Sequence, residues 1–400
     1  MESQLSYLSL HRNVTFLKML GIYPIDPKSS KIKKFFHGIY RYIMFFFILL
    51  YTVQEIMKIY EGRHNADKVI ETIFLLLTYT DYIFKIIVIR MKSDQIEDML
   101  LITKGPIYNQ GEVEHRAPLL NTIRAGLLFV RLFNLMTLFT CFLWGLQPTV
   151  QHLQGKSIEL AIWLPFDVNV NPYFYFAVFY MWAQTSLLAL GNSTVDSFVV
   201  YLLEQCKTQM TILRCDLENC VEKCKIQSKE TPISFSENLE IRLIKTIIHH
   251  REIVKMINQI QAIFGKAIFY QFVVGGWILC TSAYRMVSIN PVSVEFISMI
   301  FYMSCILIEL FIYCYFGNEI TIESNMIMTS AYATDWLAFP MKHRRMLIIF
   351  MERLKRPIQP LGSLIPLANS TYVSVNIVPL AERIKHTVFT YCASYFRDLY

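Results

Sequence analysis

The sequence predicts an all-α membrane protein: seven transmembrane helices, N-terminus cytoplasmic, C-terminus extracellular, and a helical cytoplasmic anchor region. Three observations predict it. Hydrophobic residues make up 54% of the 400 positions and charged residues only 17%, with a mean hydropathy of +0.37. A chain this apolar cannot hide its surface from water as a globule, so the bilayer must act as its solvent. The apolar residues are gathered into runs long enough to cross a membrane, and the basic residues fall between alternate runs.

Residues 1–34 form a cytoplasmic N-terminal segment. It carries Arg12, Lys18, Lys28, Lys31, Lys33 and Lys34 and lacks the order of basic start, apolar core and small-residue cleavage site that marks a signal peptide. Transmembrane helices 1–4 occupy 35–203, with apolar runs at 35–57, 69–89, 125–147 and 172–203. The fourth run is longer than a bilayer needs, and its turn to polar residues over 191–196 is read as the helix leaving the lipid. A cytoplasmic helical extension follows over 204–261, where charges alternate with Ile, Leu and Met at helical spacing. Helices 5 and 6 occupy 262–317, and the connection through Ser288, Ile289 and Asn290 forces a tight turn at one membrane face. Over 318–370 lies a cytoplasmic anchor region. Within it, 341–354 sets Lys342, Arg344, Arg345 and Arg353 against Met346, Leu347, Ile349 and Phe350, the pattern of a basic amphipathic helix that stops at Arg356-Pro357. Such a helix either lies on a membrane surface or contacts another subunit. Residues 371–400 hold an irregular seventh helix.

Orientation follows from the charges. The N-terminal segment and the second, fourth and sixth connections together hold 26 Lys and Arg, the first, third and fifth only 4, which places the basic side in the cytoplasm. With seven spans the C-terminus is then outside, the inverse of a G-protein-coupled receptor. All three N-x-Ser/Thr sequons, at Asn13, Asn192 and Asn369, fall on predicted cytoplasmic or membrane segments.

Chemistry of a catalytic kind has little support. The chain has no GxSxG, HExxH, phosphate-binding glycine loop or dinucleotide fingerprint, so it is not expected to be an enzyme. Nine cysteines show no CxxC pair; Cys215, Cys220 and Cys224 read as reduced cysteines on a cytoplasmic helix, and neither metal nor cofactor is expected. His249 and His250 are adjacent and do not share a helix face. Charges inside the membrane are costly and single out Asp81 and Lys85, which at i and i+4 neutralise each other on one helix. Arg131 with Asn134, and Lys266, read as packing or snorkelling groups. The outer halves of several helices carry Phe74, Tyr79, Met136, Phe139, Phe142, Tyr173, Phe176, Tyr180, Met181, Met299, Tyr302 and Met303. Side chains of this kind either pack helices together or line an apolar pocket for a small volatile or lipophilic ligand.

The stretch 309–336 carries the most specific signal. Leu310-Phe311-Ile312-Tyr313-Cys314-Tyr315-Phe316-Gly317-Asn318-Glu319, then Ala331-Tyr332, Asp335-Trp336, Arg356-Pro357 and Ile365-Pro366-Leu367, resemble in order and spacing the C-terminal signature of insect odorant receptors. Leu164-Pro165-Phe166-Asp167 and Asn171-Pro172-Tyr173 resemble that family too. The resemblance implies an odorant-binding tuning subunit of a heterotetrameric, ligand-gated, non-selective cation channel. Its partner would be a shared odorant co-receptor in the plasma membrane of olfactory sensory neuron dendrites. It further implies an odorant pocket among the outer halves of helices 2, 3, 4 and 6, subunit contacts at Tyr315, Asn318, Glu319, Tyr332, Asp335 and Trp336, and a pore lined by helix 7 with Ser394, Tyr395 and Phe396. One departure stands out. Between Thr371-Tyr372-Val373-Ser374 and Ser394-Tyr395-Phe396 lie Pro379, Glu382, Arg383 and Lys385, which would break an apolar helix. A gustatory receptor of the same superfamily, or a terminal-exon variant that does not gate, are the alternatives this leaves; a G-protein-coupled receptor is more distant.

Overall fold

The computed structural model describes residues 5–26, 28–109, 113–155, 160–168, 170, 172–230, 232–289 and 293–374. Among these, six helices are long and apolar enough to cross a membrane: α2 (Lys31–Glu61), α3 (Ala66–Met91), α5 (Val113–Leu153), α6 (Tyr173–Glu218), α8 (Phe235–Ser288) and α9 (Val294–Ala333). Shorter helices α1 (Leu5–Met19), α4 (Ser93–Lys104), α7 (Cys220–Glu230), α10 (Met341–Leu354) and α11 (Asn369–Tyr372) connect or flank them. Two-residue strands β1 (Leu361–Gly362) and β2 (Ile365–Pro366) form an antiparallel hairpin. Each of the first six apolar runs maps to one long helix. Of the seventh region only 371–374 is described, and Ser394, Tyr395 and Phe396 lie outside the described residues.

The helices outrun the bilayer. At about 1.5 Å per residue, the 54 residues of α8 extend roughly 80 Å, against about 30 Å of hydrocarbon. Serine caps set where they begin: the Ser234 hydroxyl accepts the Glu237 N–H at the start of α8, and Ser293 accepts the Phe296 N–H at the start of α9. The Ser-x-x-Glu spacing of the first is that of a capping box.

The core is built around α6. Every residue from Gly191 to Leu203 is buried, so the polar run over 191–196, where the composition places the exit from lipid, faces other helices and not water. Its side chains find partners inside the bundle instead: Ser193 donates to Asn134 Oδ1 at 2.5 Å, while Asn192 and Asp196 meet a lysine of α3. By contrast α2 turns Phe35, Phe36, Tyr42 and Phe46 outward, as a helix on the lipid-facing rim does.

At the end opposite the α8–α9 turn, the long helices continue together. Lys207 of α6 pairs with Glu319 of α9 at 2.5 Å, and the Ser330 and Thr334 hydroxyls donate to Glu218 Oε1 and the Leu217 carbonyl, at 2.5 and 3.1 Å. The N-terminal helix is latched to this region. Ser6 Oγ donates to the Tyr108 carbonyl at 2.6 Å, and Gln209 of α6 donates to Ser6 Oγ while accepting from His249 Nε2 of α8 at 2.9 Å. Near α4 the Tyr23 hydroxyl donates to Glu97 at 3.0 Å, and burial together with that carboxylate holds the phenol well above its usual pKa. Helix α10 forms over the predicted residues and buries His343, Leu347, Phe350, Met351 and Leu354, with Ile349 turned outward. The β-hairpin seats against α9 at Gly317, where a Cβ would occupy the position of Leu367.

Candidate functional site

Four helices each contribute one stripe at helical spacing to a shared chamber. Leu75, Thr78 and Tyr79 come from α3; Phe133, Thr137, Thr140, Cys141 and Trp144 from α5; Thr185, Leu188, Ala189, Asn192 and Ser193 from α6; Tyr302, Cys305, Ile306 and Glu309 from α9. The recurring i, i+3, i+4, i+7 pattern is what one face of an α-helix presents to a common centre. Centres of water-sized spheres fill about 70 Å³ of it, room for roughly six non-hydrogen atoms at about 12 Å³ each.

Toward the α8–α9 turn lies a second, outer cavity of about 130 Å³ by the same measure. It shares Leu75 and Trp144 with the inner chamber and is more polar, bordered by Lys58, Gln147, Gln151 and the Arg285–Glu295 ion pair. Three rings stand between the two spaces. Phe74, Trp144 and Tyr302 contact one another with centroids 5.3–5.8 Å apart in tilted and edge-to-face arrangements, the favoured geometry for aromatic pairs.

The floor of the inner chamber is a buried charge cluster. Lys85 of α3, 2% exposed, places its ammonium 3.0 Å from Asp81, 2.7 Å from Asp196 of α6 and 2.8 Å from Glu309 of α9. Asn192 accepts from Lys85 through Oδ1 and donates to Glu309 Oε1 through Nδ2, each at 2.8 Å. Gln271 of α8 donates to the same Glu309 oxygen at 2.5 Å, and the Tyr313 hydroxyl donates to Asp196 at 2.8 Å. One cation thus serves three carboxyl groups on three helices, and Gln271 ties in α8 as the fourth. Asp81 Oδ1 and Asp196 Oδ2 have no hydrogen-bond partner among the described residues. The approach of α3 to α6 needs Gly191, whose Cβ, if present, would overlap the ring of Tyr82.

The residues singled out from the sequence are distributed unevenly over this site. Tyr79 and Tyr302 line the inner chamber, and Phe74, Met181 and Met299 the outer cavity. Tyr180 donates to Gln54 at 2.9 Å and leans on Tyr51. Met136 is half-buried and Met303 buried, and neither lines either cavity. Phe139, Phe142, Tyr173 and Phe176 are exposed on the outside of the bundle. Of the anchor residues, Glu319 holds Lys207, Trp336 packs against the core, Asn318 is half-buried, and Tyr315, Tyr332 and Asp335 are exposed. Arg131 and Lys266 are exposed as well.

The reading of Asp81 and Lys85 as a self-sufficient pair is incomplete: the bond exists, but Asp196 and Glu309 share the lysine. No individual chamber threonine was singled out from the sequence either. Their signal was the spacing of Thr137, Thr140, Cys141 and Trp144 on one face of α5.

Comparison with known proteins follows the geometry. The family profile described as 7tm Odorant receptor matches residues 65–375. The chain is 28% identical over 211 residues to Odorant receptor 94a of Drosophila melanogaster, a match that spans about half the length of that relative, 52% of each chain. It is 23% identical over 350 residues to Odorant receptor 46a, isoform A, of the same species, covering 85% of this chain and 86% of the relative. Odorant receptor Or1 of Anopheles gambiae matches at 18% identity over 91% of each chain. Among solved structures, the olfactory receptor OR5 from Machilis hrabei in complex with eugenol superposes with a TM-score of 0.78 at 14% identity, covering 95% of this chain and 97% of that one. At such identity the likeness speaks for the fold.

Proposed function

The chain belongs to the 7tm odorant receptor family, and from that premise we propose that it is the odorant-binding subunit of a ligand-gated, non-selective cation channel. In this reading it assembles as a heterotetramer with a shared co-receptor in the plasma membrane of olfactory sensory neuron dendrites. The observation that carries the proposal is the inner chamber, lined by one stripe from each of four helices and bordered toward the outer cavity by the Phe74–Trp144–Tyr302 rings. Its apolar lining suits a small, largely apolar molecule, and the relative from Machilis hrabei was solved in complex with eugenol.

The ligand enters from the outer cavity and parts the three rings. It bears on Tyr302, and α9 carries the displacement toward its far half, where Glu319, Ser330 and Thr334 contact α6. Binding favours the open state only to the extent that the ligand contacts it better than the closed one. Subunit contacts through Tyr315, Tyr332 and Asp335 are consistent with their exposure.

The test is expression of the full chain with the co-receptor in oocytes, with whole-cell current recorded during volatile application. Odorant-evoked cation current that needs both subunits and survives block of G-protein signalling is expected. Current from this chain alone, or current abolished by the block, would refute the proposal.

A further inference from the structure

We infer that the inner chamber selects ligands that bring a hydroxyl group, small alcohols and phenols, over isosteric ethers and hydrocarbons. This rests on the chamber being the ligand site. The hydroxyl protons of the threonines and the serine in its wall each have an acceptor within the protein. Thr137 donates to the Phe133 carbonyl at 2.8 Å, Thr140 to Met136 at 2.9 Å, and Thr185 to Met181 at 2.9 Å. Thr78 donates to the Phe74 carbonyl at 2.9 Å, so its 2.7 Å contact with Tyr302 is a bond that the tyrosine donates. Ser193 donates to Asn134.

Each of these protons is therefore directed at the protein, and what the oxygens have left are lone pairs. Glu309 adds a carboxyl whose Oε1 already accepts three donors. The Tyr79 hydroxyl is buried with no hydrogen-bond partner among the described residues. On the donor side stand the weakly donating thiols of Cys141 and Cys305, the latter 3.8 Å from Thr140 Oγ1, and Trp144 at the boundary with the outer cavity.

A wall so rich in acceptors distinguishes ligands by what they donate. An ether or ester oxygen placed against Thr137 or Thr185 loses its water and faces another lone pair, whereas a hydroxyl regains a hydrogen bond in a medium of low dielectric. The same hydroxyl oxygen can accept from Trp144. Sites that hydrogen-bond a ligand group reject analogues lacking it more strongly than apolar walls reject a change of shape.

Pentan-1-ol and butyl methyl ether are constitutional isomers of about the chamber's capacity. The full chain in lipid nanodiscs is titrated with each, reading Trp144 fluorescence, with Trp144→Phe identifying that signal. The alcohol is expected to bind at least about fivefold more tightly. In T137V/T185V, which keeps shape and removes two acceptors, the preference is expected to fall by half or more, through weaker alcohol binding and an ether affinity no weaker than that of the wild type, with an unshifted monodisperse size-exclusion peak as the control for folding.

Equal affinities in the wild-type chain, absence of binding by both isomers, or a preference unaltered in T137V/T185V would overturn the inference. Current from the chain co-expressed with the co-receptor is recorded in parallel. Selective binding without current would count against the channel reading and leave the selectivity standing; current without selectivity would do the reverse.

Discussion

Replacing Lys85 by Met keeps the length and apolar bulk of the side chain and removes its charge. In the wild-type chain the ammonium is 2% exposed and touches Asp81, Asp196, Glu309 and Asn192 at 2.7–3.0 Å. Without it, three carboxyl groups remain at the centre of the bundle with no cation. Breaking a buried ion pair from one side costs about 3–5 kcal/mol, a large share of the 5–15 kcal/mol that roughly bounds the stability of a folded domain. At about 2–4 °C per kcal/mol for a large domain, K85M should melt roughly 10 °C below the wild type when thermal loss of the monodisperse peak is followed by fluorescence-detected size exclusion. Surface expression should fall with it. A second variant isolates charge from packing: K85M combined with Asp81→Asn, Asp196→Asn and Glu309→Gln is neutral throughout and should recover most of the lost melting temperature. A K85M chain that melts within about 2 °C of wild type, or a neutral combination no better than K85M, would refute the view that charge balance holds this cluster.

Three further outcomes are expected. Gly191→Ala should sharply reduce folded yield, because the added methyl overlaps Tyr82, and pairing it with Tyr82→Leu should restore part of the yield on the same size-exclusion assay. Glu55→Leu should raise the melting temperature by a few degrees: the carboxyl is buried in α2 with neither oxygen partnered among the described residues, and relieving such a group is worth about 1–3 kcal/mol. Ser234→Ala removes the cap of α8 and should cost about 1 kcal/mol, seen as a small melting shift with ligand affinity in the nanodisc titration unchanged.

The fold was legible where physics acts locally. Apolar runs of bilayer length located six helices, and the alternation of Arg and Lys with Leu and Phe located α10 to the residue. The burial of the polar stretch of α6 was hidden because its composition suits water and the partners that satisfy it stand far away in sequence. Glu309 bonds Asn192 across 117 positions and Lys85 across 224. Helical spacing could announce Asp81 with Lys85, but not that Asp196 and Glu309 would join them. The chamber was half-visible for a related reason. Large aromatic side chains such as Phe139 and Phe176 suit lipid as well as a ligand, and sequence does not say which side of a helix meets which. The threonines were overlooked because a hydroxyl bonded to its own helix is compatible with any position along it.

The charge cluster also fixes where α9 can pivot. Glu309 and Tyr313, one turn apart on the same face, grip α3, α6 and α8 together, so the helix is held against spinning and its remaining freedom is to rock. Tyr302 lies seven residues to one side of Glu309 and the end of the helix at Ala333 lies 24 residues to the other, arms of about 10 and 36 Å. The bundle centre is then a fulcrum: a displacement of about 1 Å at Tyr302 scales to more than 3 Å at the distal tip, and because Glu319, Ser330 and Thr334 bind that half of α9 to α6, α6 has to move with it.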